Sequence, residues 1–117
     1  MISLAPGTKV FLACTPIDLR AGFNGLAAKV QHVIGHDPFG GSLFIFRGKR
    51  GDYFKSIYWD GSGLWLMAKR LEKGRFVWPP IVEGAMTLTP AQLAVLLEAM
   101  DWRRTVAPEP PATPMLL

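Results

Sequence analysis

FIFRGKRGDYFKSIYWDGSGLWLMAKRLEKGRFVWP, residues 44–79, is the stretch that decides the fold. It holds nine of the thirteen aromatic residues: Phe44, Phe46, Tyr53, Phe54, Tyr58, Trp59, Trp65, Phe76 and Trp78. It also holds eight of the thirteen basic ones: Arg47, Lys49, Arg50, Lys55, Lys69, Arg70, Lys73 and Arg75. Glycine-bearing basic turns cut it into short apolar runs, the pattern of an antiparallel meander and not of helices. Ser42–Arg47 reads as a strand and Gly48-Lys49-Arg50-Gly51-Asp52 as a reversal. Tyr53–Trp59 is the next strand, Asp60-Gly61-Ser62-Gly63 a turn, and Leu64–Leu71 the strand after it. Glu72-Lys73-Gly74 reverses the chain into Arg75–Trp78, a further strand stopped by Pro79-Pro80, and Ile81–Met86 adds a short edge strand.

Upstream, Thr8–Cys14 is a strand bounded by Pro6-Gly7 and Thr15-Pro16. Leu19, Phe23, Leu26, Ala27, Val30, Val33 and Ile34 then recur at helical spacing. Thr15 or Asp18 can cap this helix and Gly35 can end it. Gly22 and Gly25 within it each cost about 1 kcal/mol relative to alanine, which points to close approach to the sheet. Downstream, Thr89-Pro90-Ala91-Gln92 has the form of a capping box with proline at the first helical position. Leu88 and Leu93 stand where a hydrophobic staple would place them, and Leu93, Leu96, Leu97 and Met100 form one stripe. Together these elements predict an α+β fold: a mainly antiparallel five- or six-strand meander sheet packed by two helices. One domain is expected over residues 1–104, followed by a disordered Pro-rich tail over 105–117, whose apolar end Met115-Leu116-Leu117 can dock on a partner.

Half of the 117 residues are hydrophobic and 19% are charged, which excludes a disordered chain. No apolar run is longer than Leu64–Ala68, far short of a membrane span. The segment MISLAPGTKV has neither a basic region nor an apolar core of the kind a secretory signal needs. Cys14 is the only cysteine, so no intramolecular disulfide forms, and a reducing cytoplasm is the expected location.

The net charge of +4 is unevenly spread. From Arg47 to Arg75, eight basic residues stand against Asp52, Asp60 and Glu72, a net of +5; the rest carries five basic and six acidic residues, a net of −1. A basic region on a neutral body points to a polyanionic partner, although a solvated face would carry the same charge. Alternate turns of a meander fall at one end of the sheet, so the Arg47–Arg50 and Lys69–Arg75 turns should lie together. The candidate DNA-binding residues are therefore Arg47, Lys49, Arg50, Lys55, Lys69, Arg70, Lys73 and Arg75. The strands alternate poorly, with Leu43-Phe44-Ile45-Phe46 and Ile57-Tyr58-Trp59 apolar on consecutive positions, so both sheet faces are apolar. Two helices hardly cover both. An aromatic platform or partner surface is expected from Tyr53, Trp59, Trp65 and Trp78.

Catalytic machinery is missing. Cys14 sits in an apolar strand, where an inert buried thiol is expected. Asp52, Asp60 and Glu72 are turn residues, not a convergent carboxylate set. His32 and His36 lack further ligands for a metal, and no phosphate-binding glycine loop occurs. No enzyme activity, metal or cofactor is expected.

Several separated motifs carry a family resemblance. They are Asp18-Leu19-Arg20-Ala21-Gly22-Phe23-Asn24-Gly25-Leu26, Phe44-Ile45-Phe46-Arg47-Gly48, Trp59-Asp60-Gly61-Ser62-Gly63-Leu64, Lys69-Arg70-Leu71-Glu72-Lys73-Gly74-Arg75-Phe76-Val77-Trp78-Pro79, Leu88-Thr89-Pro90-Ala91-Gln92-Leu93 and Asp101-Trp102. Over roughly residues 5–104 the chain resembles the TnpB-type accessory protein, the second reading frame product of the insertion sequence 66 family of bacterial transposable elements. The resemblance implies a non-catalytic protein of DNA transposition that acts beside a separate transposase. It supplies no catalytic residues to carry over. Two readings of its action follow: a DNA-binding factor holding transposon ends, or displaced single strands, on the basic turns, or a module whose aromatic face docks on the transposase without touching DNA.

Overall fold

The computed structural model describes residues 4–104. The strands are β1 (Val10–Ala13), β2 (Leu43–Arg47), β3 (Tyr53–Trp59), β4 (Leu64–Arg70) and β5 (Ala85–Leu88). They form one five-stranded sheet in the order β4-β3-β2-β1-β5. β2, β3 and β4 are the expected meander, with Phe44 opposite Ile57 and Ile57 opposite Leu66. The helix α1 (Phe23–Lys29) lies between β1 and β2, and these two strands run parallel, Phe11 opposite Phe44. β5 closes antiparallel on the other side of β1, Phe11 opposite Thr87. The sheet is therefore mixed but mostly antiparallel, and the fold is α+β. β1 is flanked on both sides and buried at all four positions, which is why VFLA is apolar throughout and does not alternate.

Arg75–Trp78 is not a strand. The chain does turn at Gly74, where φ is 81°, but it then crosses the sheet instead of extending it. Core contacts take the apolar residues that a ladder would otherwise have used. Phe76 packs edge-on against Phe54 with ring centroids 5.1 Å apart, and the Val77 carbonyl accepts a hydrogen bond from Trp102 Nε1 at 2.6 Å. The edge strand expected over Ile81–Met86 starts later, at Ala85. The expected tail, 105–117 with Met115, Leu116 and Leu117, lies outside the described residues.

Each helix takes its own face of the sheet. On one face Val10, Leu12, Leu43, Ile45, Phe54 and Tyr58 meet Leu93 and Leu96 of α2 (Pro90–Leu97), together with Phe76 and Trp102. On the other, Phe11, Phe44, Phe46 and Ile57 meet Leu26 and Val30. The loop-like segment 71–78 supplies the extra cover on the α2 face through Leu71, Phe76, Val77 and Trp78. This arrangement seals most of the rings that two helices on one face would have left open.

α2 starts as its sequence indicates. Thr89 Oγ1 accepts from the Gln92 amide at 3.1 Å, Gln92 Oε1 accepts from the Thr89 amide at 2.9 Å, and Leu88 and Leu93 share the core. Met100 lies beyond the end of α2 and is exposed, so it is not part of the stripe. α1 is shorter than its periodicity suggests. It starts at Phe23 behind Gly22, with no side-chain cap. Asp18 instead closes a turn, accepting from the Arg20 amide at 3.0 Å, and the Thr15 hydroxyl donates to the Val82 carbonyl at 2.9 Å. Beyond Lys29 the helix widens into a π-helical turn, Val30–Ile34, ended by Gly35 at φ 78°. Gly22 lies ahead of the helix and not within it, and neither glycine serves close contact with the sheet: a Cβ at Gly22 would meet nothing within 4 Å, and one at Gly25 would meet only the Ala21 side chain.

The β3–β4 turn is organised by Asp60. Its carboxylate accepts from the amides of Ser62 and Gly63, both at 2.9 Å, and from Trp65 Nε1 at 2.8 Å. These donors hold its pKa down to about 2 from an ordinary 3.8, led by the Ser62 amide and followed by the Trp65 indole. A depressed carboxylate pKa means that the ionised form favours the fold, so its contribution is complete above pH 3.8 and is lost as pH falls through about 2. Denaturant titrations of the protein and of Asp60→Asn should therefore give a stability gap that is constant near neutrality and closes across that acid window. A gap that does not change with pH would show that the carboxylate charge plays no part in the turn.

Candidate functional site

The β2–β3 turn and the chain leaving β4 are tied together. The Leu71 amide donates to the Asp52 carbonyl at 2.8 Å, and the Phe76 amide donates to the Gly51 carbonyl at 3.0 Å. Trp78 Nε1 reaches the same Gly51 oxygen at 2.9 Å. Gly51 has a φ of 81°, in the left-handed region, and a Cβ there would meet Arg75 Cδ and the Trp78 ring at 3.5 Å. Residues 71–78 thus form a strap across the hairpin tip, and both basic turns share one rim. The strap is an irregular crossing, not the fifth strand expected from sequence, but it brings the same residues to the same end.

Five of the eight candidate cations stand on that rim. Lys49, Arg50, Arg70, Lys73 and Arg75 are all exposed. Arg50 pairs with Asp52 at 2.9 Å, whereas the charged groups of Lys49, Arg70, Lys73 and Arg75 have no hydrogen-bond or ion-pair partner among the described residues. Arg47 sits behind the rim, half-buried, its guanidinium carbon 5.3 Å from the centre of the Trp78 ring. Burial lowers its pKa from the usual arginine value, and a guanidinium remains charged regardless. The other two serve the scaffold. Lys55 donates to the Ala21 carbonyl at 3.0 Å, fastening the approach to α1, and Lys69 donates to the Leu97 carbonyl at the end of α2 at 2.6 Å. A lysine at a helix C-terminus also satisfies an orphan carbonyl and the helix dipole.

Beside the rim lies an open cleft of about 560 Å³ between the Pro16–Leu19 loop and the Gly48–Tyr53 turn, with Arg70 on its wall. Asp18 is the acidic group across from Lys49 and Arg50. The Arg20 guanidinium holds Asp18 near pKa 2, so it is ionised and already paired with Arg20. With Arg50 paired to Asp52 in the same lining, Lys49 and Arg70 are the cations the cleft keeps available.

The four aromatic candidates do not share a surface. Tyr53 is half-buried in the cleft, opposite Arg70, and Trp78 is half-buried beneath the rim, where it anchors the strap. Trp59 and Trp65 stand at the other end of β3 and β4, on opposite faces; Trp59 meets Phe39 edge-on at 5.4 Å, and Trp65 is 45% exposed. Trp78 as a structural anchor, together with the Gly51 carbonyl, is what sequence reasoning missed. The partners are 27 residues apart, and no local pattern links them.

Elsewhere, Cys14 is buried and burial pushes its thiol pKa up. His36 is exposed but packs at a tilt against Phe11, with ring centroids 4.3 Å apart and 39° between the planes. Among the described residues no three His, Cys, Asp or Glu side chains gather as a ligand set, and no helix is long and apolar enough to cross a membrane.

A family model described as IS66 Orf2 like protein matches residues 8–107. The chain belongs to this IS66 family. It is 42% identical over 104 residues to the uncharacterized protein y4jC of Sinorhizobium fredii (strain NBRC 101917 / NGR234), covering 89% of each chain. It is 45% identical over 103 residues to y4hO of the same organism, covering 88% of this chain and 90% of the relative. No solved structure matches significantly. Membership of the IS66 Orf2-like family makes the protein a transposition-associated accessory protein, connected with the IS66 transposition machinery and not a known catalytic enzyme.

The Gly51 junction can be tested directly. Gly51→Ala forces an L-residue into the left-handed region, which costs about 1–2 kcal/mol. Trp78→Phe keeps a ring but removes one donor, an expected loss of about 0.5–1.5 kcal/mol. Urea unfolding followed by tryptophan fluorescence reads both, and wild-type stability in the two variants would mean that the strap is not fastened there.

Proposed function

We propose that this IS66 accessory protein binds DNA through the cationic rim, holding transposon ends for the transposase of the same element. The observation that carries the reading is the clustering of Lys49, Arg50, Arg70, Lys73 and Arg75 at one end of the sheet, four of them with no partner for their charge among the described residues. Exposed, unpaired lysines and arginines on one rim suit the phosphate backbone, where binding is driven by counterion release. Arg47, Lys55 and Lys69 are left out of the contact set because each is committed to the scaffold. Base stacking contributes little in this reading. Of the four rings, Tyr53 alone stands in the cleft.

Four phosphate contacts predict a salt slope of about −3.6, hence roughly a hundredfold loss of affinity between about 50 and 200 mM salt. Each of Arg70→Glu, Lys73→Glu and Arg75→Glu should weaken binding whatever the DNA sequence, and removing one contact should flatten the slope by about one. Mobility shifts on element ends, random duplex and single strands, with and without transposase, measure this. Lack of DNA binding by the protein alone and with transposase, while the charge-reversed variants still bind the transposase, would replace this reading with protein docking.

A further inference from the structure

Among the described residues β4 is an edge strand with nothing paired along its outer side, and it is an unusual one to leave bare. It has seven residues, against four in β5 at the opposite edge, and its run Leu64-Trp65-Leu66-Met67-Ala68 contains no proline or charge. Long, apolar edges invite pairing with another strand, and chains that must stay monomeric usually blunt them. The direction of the free backbone groups can be read from the ladder. The Leu71 amide bonds the Asp52 carbonyl and the Asp60 amide bonds the Gly63 carbonyl, so in this register Trp65, Met67 and Lys69 exchange bonds with β3. Leu64, Leu66, Ala68 and Arg70 therefore turn their N–H and C=O groups outward.

We propose that two copies of this chain pair through β4, antiparallel about a two-fold axis at Met67, and so form one continuous sheet. In this register Leu66 lies opposite Ala68 of the second copy, Trp65 opposite Lys69, and Leu64 opposite Arg70. All the outward groups are matched, giving about eight backbone hydrogen bonds. The strand is self-complementary in charge as well. Lys69 and Arg70 fall opposite an indole and a leucine and not opposite each other, and a lysine beside an indole is a favourable cross-strand pair. The cationic end of each β4 comes alongside the Asp60 turn of the other copy, which is of opposite sign.

A seven-residue ladder alone is a small interface, and a stable dimer needs further apolar area. An apolar groove of about 430 Å³ supplies it, lined by Leu43, Ile45, Phe54 and Met67 with Leu93 and Leu97 of α2. Ala68 and Lys69 of β4 also line it. Trp65, 45% exposed and on the same face as Met67 and Lys69, comes beside Lys69 of the second copy, next to this groove. The interface shares Arg70 with the proposed DNA-binding rim and leaves Lys49, Arg50, Lys73 and Arg75 outside it.

Sedimentation of the full chain over a wide concentration range should show a dimer. Ala68→Pro removes an N–H that points away from β3, so it should leave the near-UV spectrum intact and give a monomer. Met67→Cys should form a disulfide-linked dimer under mild oxidation, because the two-fold axis brings the two side chains together, whereas Leu64→Cys, opposite Arg70, should not. Cys14 is buried, which keeps background cross-linking low. A wild-type chain that stays monomeric overturns the proposal, as does a dimer that survives in folded Ala68→Pro. If Ala68→Pro does not fold, the two cysteine variants decide: cross-linking at Met67 alone supports the pairing, and none there overturns it.

Discussion

One carbonyl oxygen, that of Gly51, accepts from both the Phe76 amide and the Trp78 indole, and the shape of the cationic end depends on it. Without those two donors the strap has no reason to lie across the β2–β3 turn, because its glycine turn and the Pro79-Pro80 that follow it do not extend the sheet. With them, Arg75 is drawn over Gly51 and the two basic segments meet. Gathering like charges is opposed only weakly. Two unit charges 8 Å apart in water repel by roughly 0.5 kcal/mol. A buried hydrogen bond contributes about 1 kcal/mol and sequestering Phe76 adds about 1.5–3 kcal/mol, so packing decides where the cations go.

The placement of one helix on each face settles what the aromatic residues do. A sheet apolar on both faces is an aggregation hazard unless both are covered. Here α1 covers the face of Phe11, Phe44 and Phe46, while α2 and the strap cover that of Ile45, Phe54 and Tyr58. Phe76, Trp78 and Trp102 are consumed in holding the strap in place. Aromatic content that looks like a stacking platform in the sequence is therefore mostly the cost of closing a thin domain with short helices. What remains at the rim is charge, which reads no sequence by itself.

Local signals were legible and non-local ones were not. The three meander strands, the Thr89 box and the αL glycine that ends the first helix could be read within a window of a few residues, since each is set by its own alternation, cap or turn. The parallel pairing of β1 with β2 is a property of the connection, to which no short window is sensitive. Arg75–Trp78 looked like a strand because aromatic residues next to a glycine turn fit strands and straps equally, and only the distant Trp102 and Gly51 distinguish them. The site was legible in the same partial way. Charge clustering located the rim, but the sequence could not separate Lys55, held by the Ala21 carbonyl ahead of α1, and Lys69, held by the Leu97 carbonyl at the end of α2, from the cations without such a partner.

The rim and the bare edge of β4 are at right angles in the sheet: one lies at the strand ends, the other runs along the strand. Of the rim cations only Arg70 belongs to both. A pair joined antiparallel through β4 turns its two rims to opposite ends of the common sheet, so they cannot follow one continuous stretch of backbone on the same side. If the rim takes DNA as proposed, each rim would instead hold its own segment, and the pair would bridge two segments. The same small fold would then contribute by geometry.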